Sequence, residues 1–201
     1  IFEHVQPDFV FHLAAQPIVS VSYEDPIETF QTNTIGTANI LEALRSVSNP
    51  CHAVMITSDK CYDNVEWIWG YREQDALGGK DPYSASKGAA ELVIKTYYHS
   101  YFKKPASRVK LTVVRAGNVI GGGDWALNRI VPDCFRSWNE QQAVQIRNPN
   151  STRPWQHVLE PLSGYLRAGQ ILAETEGEIN GEPFNIGPAS DKLGRASCED
   201  R

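Results

Sequence analysis

The chain has 201 residues, long for one compact domain and short for two; 41% are hydrophobic and 21% charged, and 19 lysines and arginines face 24 acids for a net charge of −5. That composition excludes a disordered tail or a fibrous repeat and leaves room for a real core. It also offers no basic footprint for a nucleic-acid backbone, since no Lys/Arg run is longer than Lys103-Lys104. No apolar stretch approaches the ~20 residues of a membrane span, and no signal-peptide pattern opens the chain, so a cytoplasmic protein is expected. Four cysteines (Cys51, Cys61, Cys134, Cys198) stand far apart without a CxxC pair. Metal knuckles and a disulfide scaffold are therefore disfavoured. The chain opens on Ile1 and holds one methionine, Met55, which reads as a piece of a longer protein. Its polar end after about residue 187 reads as ragged.

Residues 9–13 form an unbroken apolar run that suits a strand buried on both faces. Asp25-Pro26 then opens a helix, with Ile27, Phe30, Ile35, Ala38 and Leu41 at helical spacing as far as Ser48. A second strand is expected at residues 53–58, followed by a polar, Trp-rich loop to about Lys80. Asp81-Pro82 opens another helix, carrying Ala85, Ala89, Leu92, Val93 and Tyr97, and a third strand follows at 111–115. Beyond Gly121–Gly123 the texture loosens: a helix near 128–140, a short strand near 144–147, a helix near 160–174, then Phe184-Asn185-Ile186. Alternation of strand and long helix predicts an α/β fold, a parallel sheet covered on both faces. A boundary is expected near 121–124.

In such sheets ligands gather beyond the carboxyl ends of the strands. Three ends are visible: Leu13-Ala14-Ala15-Gln16, Thr57-Ser58-Asp59-Lys60 and Arg115-Ala116-Gly117-Asn118. For any one of them an ordinary turn is about as good a reading. Tyr83 and Lys87 lie four apart, hence on one helix face, and Tyr83 sits in the first turn, where the helix dipole favours a phenolate. A phenol of pKa ~10 needs that help, and a neighbouring ammonium, to act near neutrality.

Ser58 at a strand end, followed by Tyr83 and Lys87, resembles the Ser–Tyr–Lys site of the extended short-chain dehydrogenases/reductases. His12-Leu13-Ala14-Ala15, Asn33-Thr34-Ile35-Gly36-Thr37, Pro82-Tyr83-Ser84-Ala85-Ser86-Lys87 and the run from Arg115 to Gly121 match that family in order and spacing. Within it, the segments 57–62 and 121–125 look most like the dehydratases that act on CDP-glucose. The resemblance implies a Rossmann-like doubly wound parallel sheet with NAD bound, over residues 1–120 and without its first βα units. Part of a smaller substrate-binding region would follow at 121–201. It implies catalytic roles for Ser58, Asp59, Lys60, Tyr83 and Lys87. Cofactor contacts carry over to Leu13, Ala14, Ala15, Gln16, Thr32 and Val119, and to Tyr83 and Lys87 themselves; substrate contacts carry over to Ser58, Asn118 and Arg153. Lys60 stands where related dehydratases carry glutamate, so it serves as a neutral amine or positions another base. A homodimer through helices 26–48 and 82–102 is implied as well. The glycine-rich turn for the pyrophosphate is not in this sequence, so the segment alone is expected to bind NAD poorly and to be inactive. An epimerase of the same family and a non-catalytic scaffold remain as alternatives.

Overall fold

The computed structural model describes residues 1–146, 149–175 and 177–188. The described residues divide into two compact units: residues 1–116 with 162–186, and residues 117–161 with 187–188.

In the first unit the elements run α1 (Phe2–Val5), β1 (Phe9–His12), α2 (Val19–Glu24), α3 (Pro26–Phe30) and α4 (Gly36–Leu44), with a π-helical turn, Gln31–Ile35, joining α3 to α4. β2 (Cys51–Ile56) and a 3₁₀ turn (Asp59–Cys61) lead to α5 (Pro82–Tyr97), which widens into a second π-helical turn, Tyr98–Phe102. β3 (Val109–Ala116) follows. Four strands form one parallel sheet in the order β1-β2-β3-β6, with Phe9 opposite His52, Cys51 opposite Val109 and Val113 opposite Pro183. β6 spans Pro183–Ile186, after α7 (Leu159–Glu174).

Alternation along β2 and β3 divides their side chains between two cores. Cys51, Ala53 and Met55 join Val109, Leu111 and Val113 beneath Leu41, Leu44, Ile94 and Phe102 of the α4–α5 side. Val54, Val114 and Ala116 face the other way, onto Tyr165, Ala168 and Leu172 of α7. A period of two with helices on both faces is what a buried parallel strand requires. The expected doubly wound α/β sheet is present. β1 differs from expectation, because it lies at the edge of the described sheet and leaves Phe9 44% exposed. Residues 144–146 form no strand; Arg147, which the expected strand included, lies outside the described residues, as do the polar end from Ser190 and Cys198.

Both Asp-Pro pairs open helices as read. Asp25 Oδ1 accepts from the Glu28 amide at 3.0 Å, and Asp81 Oδ1 accepts from the Ser84 amide at 2.9 Å. These caps satisfy amides left free in the first turn. In the second unit, β4 (Val119–Ile120) pairs in parallel with β5 (Gln156–His157), and α6 spans Ile130–Asn139. Arg136 there bonds Asp133 at 2.9 Å and the Trp125 carbonyl. Among the described residues no helix is long and apolar enough to cross a membrane.

Two glycines set how closely α5 seats. A Cβ at Gly88 would stand 2.9 Å from the Gly78 carbonyl oxygen and 3.2 Å from that of Cys61. One at Gly79 would fall 2.3 Å from the Ala85 nitrogen. Gly→Ala inside a helix ordinarily stabilises by ~1 kcal/mol. Here Gly88→Ala reverses that sign, because backbone rather than a movable side chain blocks the new methyl; overpacking of this kind costs about 1–3 kcal/mol. Thermal unfolding of Gly88→Ala will show a lower Tm than the parent.

Candidate active site

Tyr83, Lys87 and Glu91 follow one another at four-residue intervals on the buried stripe of α5, with 8%, 7% and 4% of their surface exposed. That stripe packs on the 3₁₀ turn after β2. Ser58 caps the turn: its hydroxyl accepts from the Lys60 amide at 3.2 Å and donates to Asp59 Oδ1 at 3.0 Å. Asp59 and Lys60 are half buried. The structure thus brings α5, with Tyr83 and Lys87, against the segment that carries Ser58, Asp59 and Lys60.

A web of hydrogen bonds holds the first turn of α5 against the end of β1. Ser22 Oγ accepts from the Tyr83 amide at 3.2 Å, and the Tyr83 carbonyl accepts from Ser86 Oγ at 2.7 Å. Asn33, buried in the π-helical turn, donates to Ser86 Oγ at 2.9 Å and to the Gln16 carbonyl at 3.1 Å, and accepts from the Gln16 amide at 2.8 Å. Gln16 uses its side chain too, donating to Thr29 at 2.9 Å and accepting from the Ile18 amide at 2.5 Å. Its polar atoms therefore anchor the loop. The Thr37 hydroxyl donates to the Asn33 carbonyl at 2.7 Å, so neutral His12 donates to it through Nε2 at 3.1 Å. Burial, then the Lys87 charge, hold His12 below its ordinary pKa. Thr32 is half buried and donates along its own helix to Glu28 at 3.0 Å.

Beneath these residues lies a buried ion pair. Arg115 Nε and Nη2 donate to the two oxygens of Glu91, each at 2.8 Å, with 3% and 4% of the side chains exposed. Thr57 donates to the same carboxylate at 2.5 Å, while Arg115 Nη1 donates to Tyr62 Oη at 2.7 Å and to the Glu73 carbonyl at 3.0 Å. The Tyr62 hydroxyl donates in turn to Asn185 Oδ1 at 2.7 Å, and its ring lies under the guanidinium, 4.9 Å from ring centre to Cζ. Arg115 was visible in the sequence as a strand-end cation. Glu91 was missed, and its only signal is a lone acid inside the apolar stripe of α5.

A nicotinamide dinucleotide at this strand end would meet the loop after β1 and the Lys87 ammonium. Leu13 and Ala14 are exposed and apolar, and Ala15 is half buried, so the two alanines let a planar ligand approach that backbone. Among the described residues none accepts a hydrogen bond from the buried Lys87 ammonium, which leaves its donors available to a ribose. Asn118, Val119 and Arg153 belong to the second unit. There the Asn118 carbonyl accepts from the Gln156 amide at 3.0 Å, Val119 pairs with Gln156 and is 38% exposed, and Arg153 is half buried, donating to the Thr152 carbonyl at 2.7 Å. Among the described residues no His/Cys/Asp/Glu group is arranged to hold a metal.

A parallel sheet with helices on both faces and a Tyr-x-x-x-Lys helix beside a strand-end serine define an α/β protein of the extended short-chain dehydrogenase/reductase type. The model of the GDP-mannose 4,6 dehydratase family matches residues 1–180, and the chain belongs to that family. CDP-glucose 4,6-dehydratase of Salmonella typhimurium is 57% identical over 187 residues, 91% of this chain and 52% of that protein. CDP-paratose 2-epimerase of Salmonella typhi is 28% identical, covering 90% and 57%. The X-ray structure of Pal from Bacillus thuringiensis superposes with a TM-score of 0.78 at 27% identity, over 92% of this chain and 56% of that one. The dTDP-glucose 4,6-dehydratase DesIV of Streptomyces venezuelae, solved with NAD bound, gives 0.75 at 22% identity over 90% and 52%, a likeness of fold. The chain spans about half the length of the curated relatives it matches.

Burial draws the Lys87 ammonium down to about 8 from 10.5, against the opposing pull of Cys61 and Glu91. Between those two pH values the unfolded chain holds a proton that the folded chain has released, so this group makes stability rise with pH across the window. Below about 8 its penalty is present in full. Urea unfolding of Lys87→Met, set against the parent, is expected to show a stability advantage that is largest below pH 8 and shrinks towards 10.5.

Proposed function

We propose that the protein carrying this chain is a nucleotide-sugar 4,6-dehydratase that converts CDP-glucose to CDP-4-keto-6-deoxyglucose with tightly bound NAD. The observation that carries the reading is the seating of the buried Tyr83–Lys87 face of α5 on the turn that presents Ser58, Asp59 and Lys60. The 57% identity to a CDP-glucose 4,6-dehydratase supports the choice of nucleotide.

Tyr83, as phenolate, takes the proton from the sugar 4-hydroxyl, and Ser58 hydrogen-bonds the same oxygen. Lys87, one helical turn from Tyr83, favours that phenolate and offers its ammonium to the ribose of the nicotinamide nucleotide. NAD, when bound, would supply the hydride acceptor for C4 and the hydride donor for C6, the base at C5 giving its proton back to that carbon. The 4-ketone makes the C5 proton acidic. Asp59, half buried and already linked to Ser58, protonates the departing 6-hydroxyl, which leaves as water. Removal of the C5 proton falls to Lys60 as a neutral amine or to a base that Lys60 positions. Asn118 and Arg153 serve the diphosphate and the nucleotide, a task for which a guanidinium is suited. Leu13, Ala14, Ala15, Gln16, Thr32 and Val119 line the cofactor's place. The exposed Ile27, Ile35 and Leu92 on the helices 26–48 and 82–102 support a homodimer through those helices.

The longest natural form of the protein, incubated separately with CDP-, dTDP-, GDP- and UDP-glucose, is expected to yield 4-keto product from CDP-glucose. Turnover of none of the four sinks the reading, and an epimer without ketone points instead to the epimerase. Tyr83→Phe is expected to lower kcat by roughly 100- to 10,000-fold, the range for loss of a general base. Deuterium exchange at C5 is expected to fall in Lys60→Met; undiminished exchange removes Lys60 from that step.

A further inference from the structure

Glu91 and Arg115 take no part in the chemistry proposed above, yet their bonds reach both ends of segment 57–62 and the helix that carries Tyr83 and Lys87. Glu91 is one turn beyond Lys87 and two beyond Tyr83 on the same buried stripe. Its carboxylate also receives the hydroxyl of Thr57, the residue before Ser58. Arg115 binds both oxygens of Glu91 and then Tyr62, the residue that follows the 3₁₀ turn holding Asp59 and Lys60. Segment 57–62 is thus pinned at both ends to one ion pair, and that pair sits on the catalytic helix.

Buried charges of opposite sign seldom add net stability, because the loss of hydration offsets their attraction. What they supply is a fixed arrangement and a fixed local field. We propose that the Glu91–Arg115 pair is a positioning device for the site: Glu91 supplies the counter-charge that keeps buried Lys87 a cation, and the pair's bonds to Thr57 and Tyr62 hold Ser58, Asp59 and Lys60 in register with α5. The roles of Ser58, Tyr83 and Lys87 rest on the function proposed above; the charge relation does not.

Groups from several elements face Lys87. His12 approaches from β1, Cys61 from the 3₁₀ turn, and Tyr83 and Glu91 belong to its own helix. Arg115 from β3 acts through Glu91, and Asp59 acts on Cys61. Burial, with Glu91 next, keeps Cys61 far above the ordinary thiol range, so it stays protonated, and His12 stays neutral. Glu91, paired with Arg115, is the carboxylate one turn from Lys87 on its own helix.

Acetic anhydride, applied at a series of pH values to the longest natural form of the protein, reads the titration of Lys87 from the extent of its acetylation, measured by mass spectrometry. The parent is expected to give a midpoint at about 8. Glu91→Gln removes the counter-charge and leaves Arg115 nearby, so the midpoint falls below the parent's. Arg115→Met frees the carboxylate for Lys87, so the midpoint rises. Opposite shifts from the two halves of one pair are the signature, since a pair that only held the fold together would move both variants alike or not at all. Shifts of the same sign, or none, overturn the proposal. If either single variant fails to fold, the double variant Glu91→Gln/Arg115→Met, neutral and similar in shape, decides the matter. Its midpoint is expected below the parent's, and an unchanged midpoint overturns the idea. In the dehydratase assay the same variants are expected to displace the pH profile of kcat in the matching directions while KM for the nucleotide sugar stays within about twofold. Absence of turnover in the parent defeats the proposed function and leaves the acetylation result standing by itself.

Discussion

Arg115 and Glu91 meet through two hydrogen bonds of 2.8 Å, in a place where water reaches almost none of either side chain. Charges so placed cannot relax towards solvent, so whatever they bind must hold still around them. Here the bound groups come from the residues on either side of the 3₁₀ turn that follows β2, from α5, from β3 and, through Tyr62 and Asn185, from β6. The carboxyl ends of three neighbouring parallel strands are thereby tied to one helix. Open parallel sheets receive their ligands at that edge, and in this chain the edge is also where the polar bonds concentrate.

A second web works on the same helix from the opposite end of the stripe. Asn33 and Gln16 exchange bonds between the β1 loop and the π-helical turn, and Asn33 continues to Ser86, which in turn bonds the Tyr83 carbonyl. The Tyr83 end of the stripe is therefore held from the β1 side and the Glu91 end from the β3 side. Between them, Gly79 and Gly88 give up their side chains so that backbone can meet backbone.

Much of this architecture was legible in the residues. Helical spacing and Asp-Pro starts marked α3 and α5, and the apolar runs of β2 and β3 marked buried strands, because each of those signals is local. Tyr83 and Lys87 were legible as a pair for the same reason. The short helices α1 and α2, of four and six residues, were not, since such lengths carry no period. β1 looked doubly buried because composition does not reveal a sheet edge. Glu91 was hidden for a different reason. Its meaning depends on Arg115, 24 positions away on another element, and nothing in the spacing links them. Asn33 was noticed as part of a family-like run, while its work as a bracket between two loops depends on contacts 17 and 53 residues distant.

The wide turn at Gln31–Ile35 governs which changes of length this region can survive. Thr29, Asn33 and Thr37 all serve the end of β1, and they stand four apart. In an ordinary α-helix positions four apart drift by about 40° with each step, because a turn holds 3.6 residues. A turn held by bonds to the fifth residue is under-wound and takes up that drift, so the three side chains stay on one line. Deleting one residue of this turn would restore a regular helix in which Thr29 and Thr37 stand seven apart, within about 20° of two full turns, so the two ends would keep their direction. The wide turn thus absorbs one residue of length between fixed ends, and what depends on that residue is the bracket that Asn33 makes between the β1 loop and Ser86.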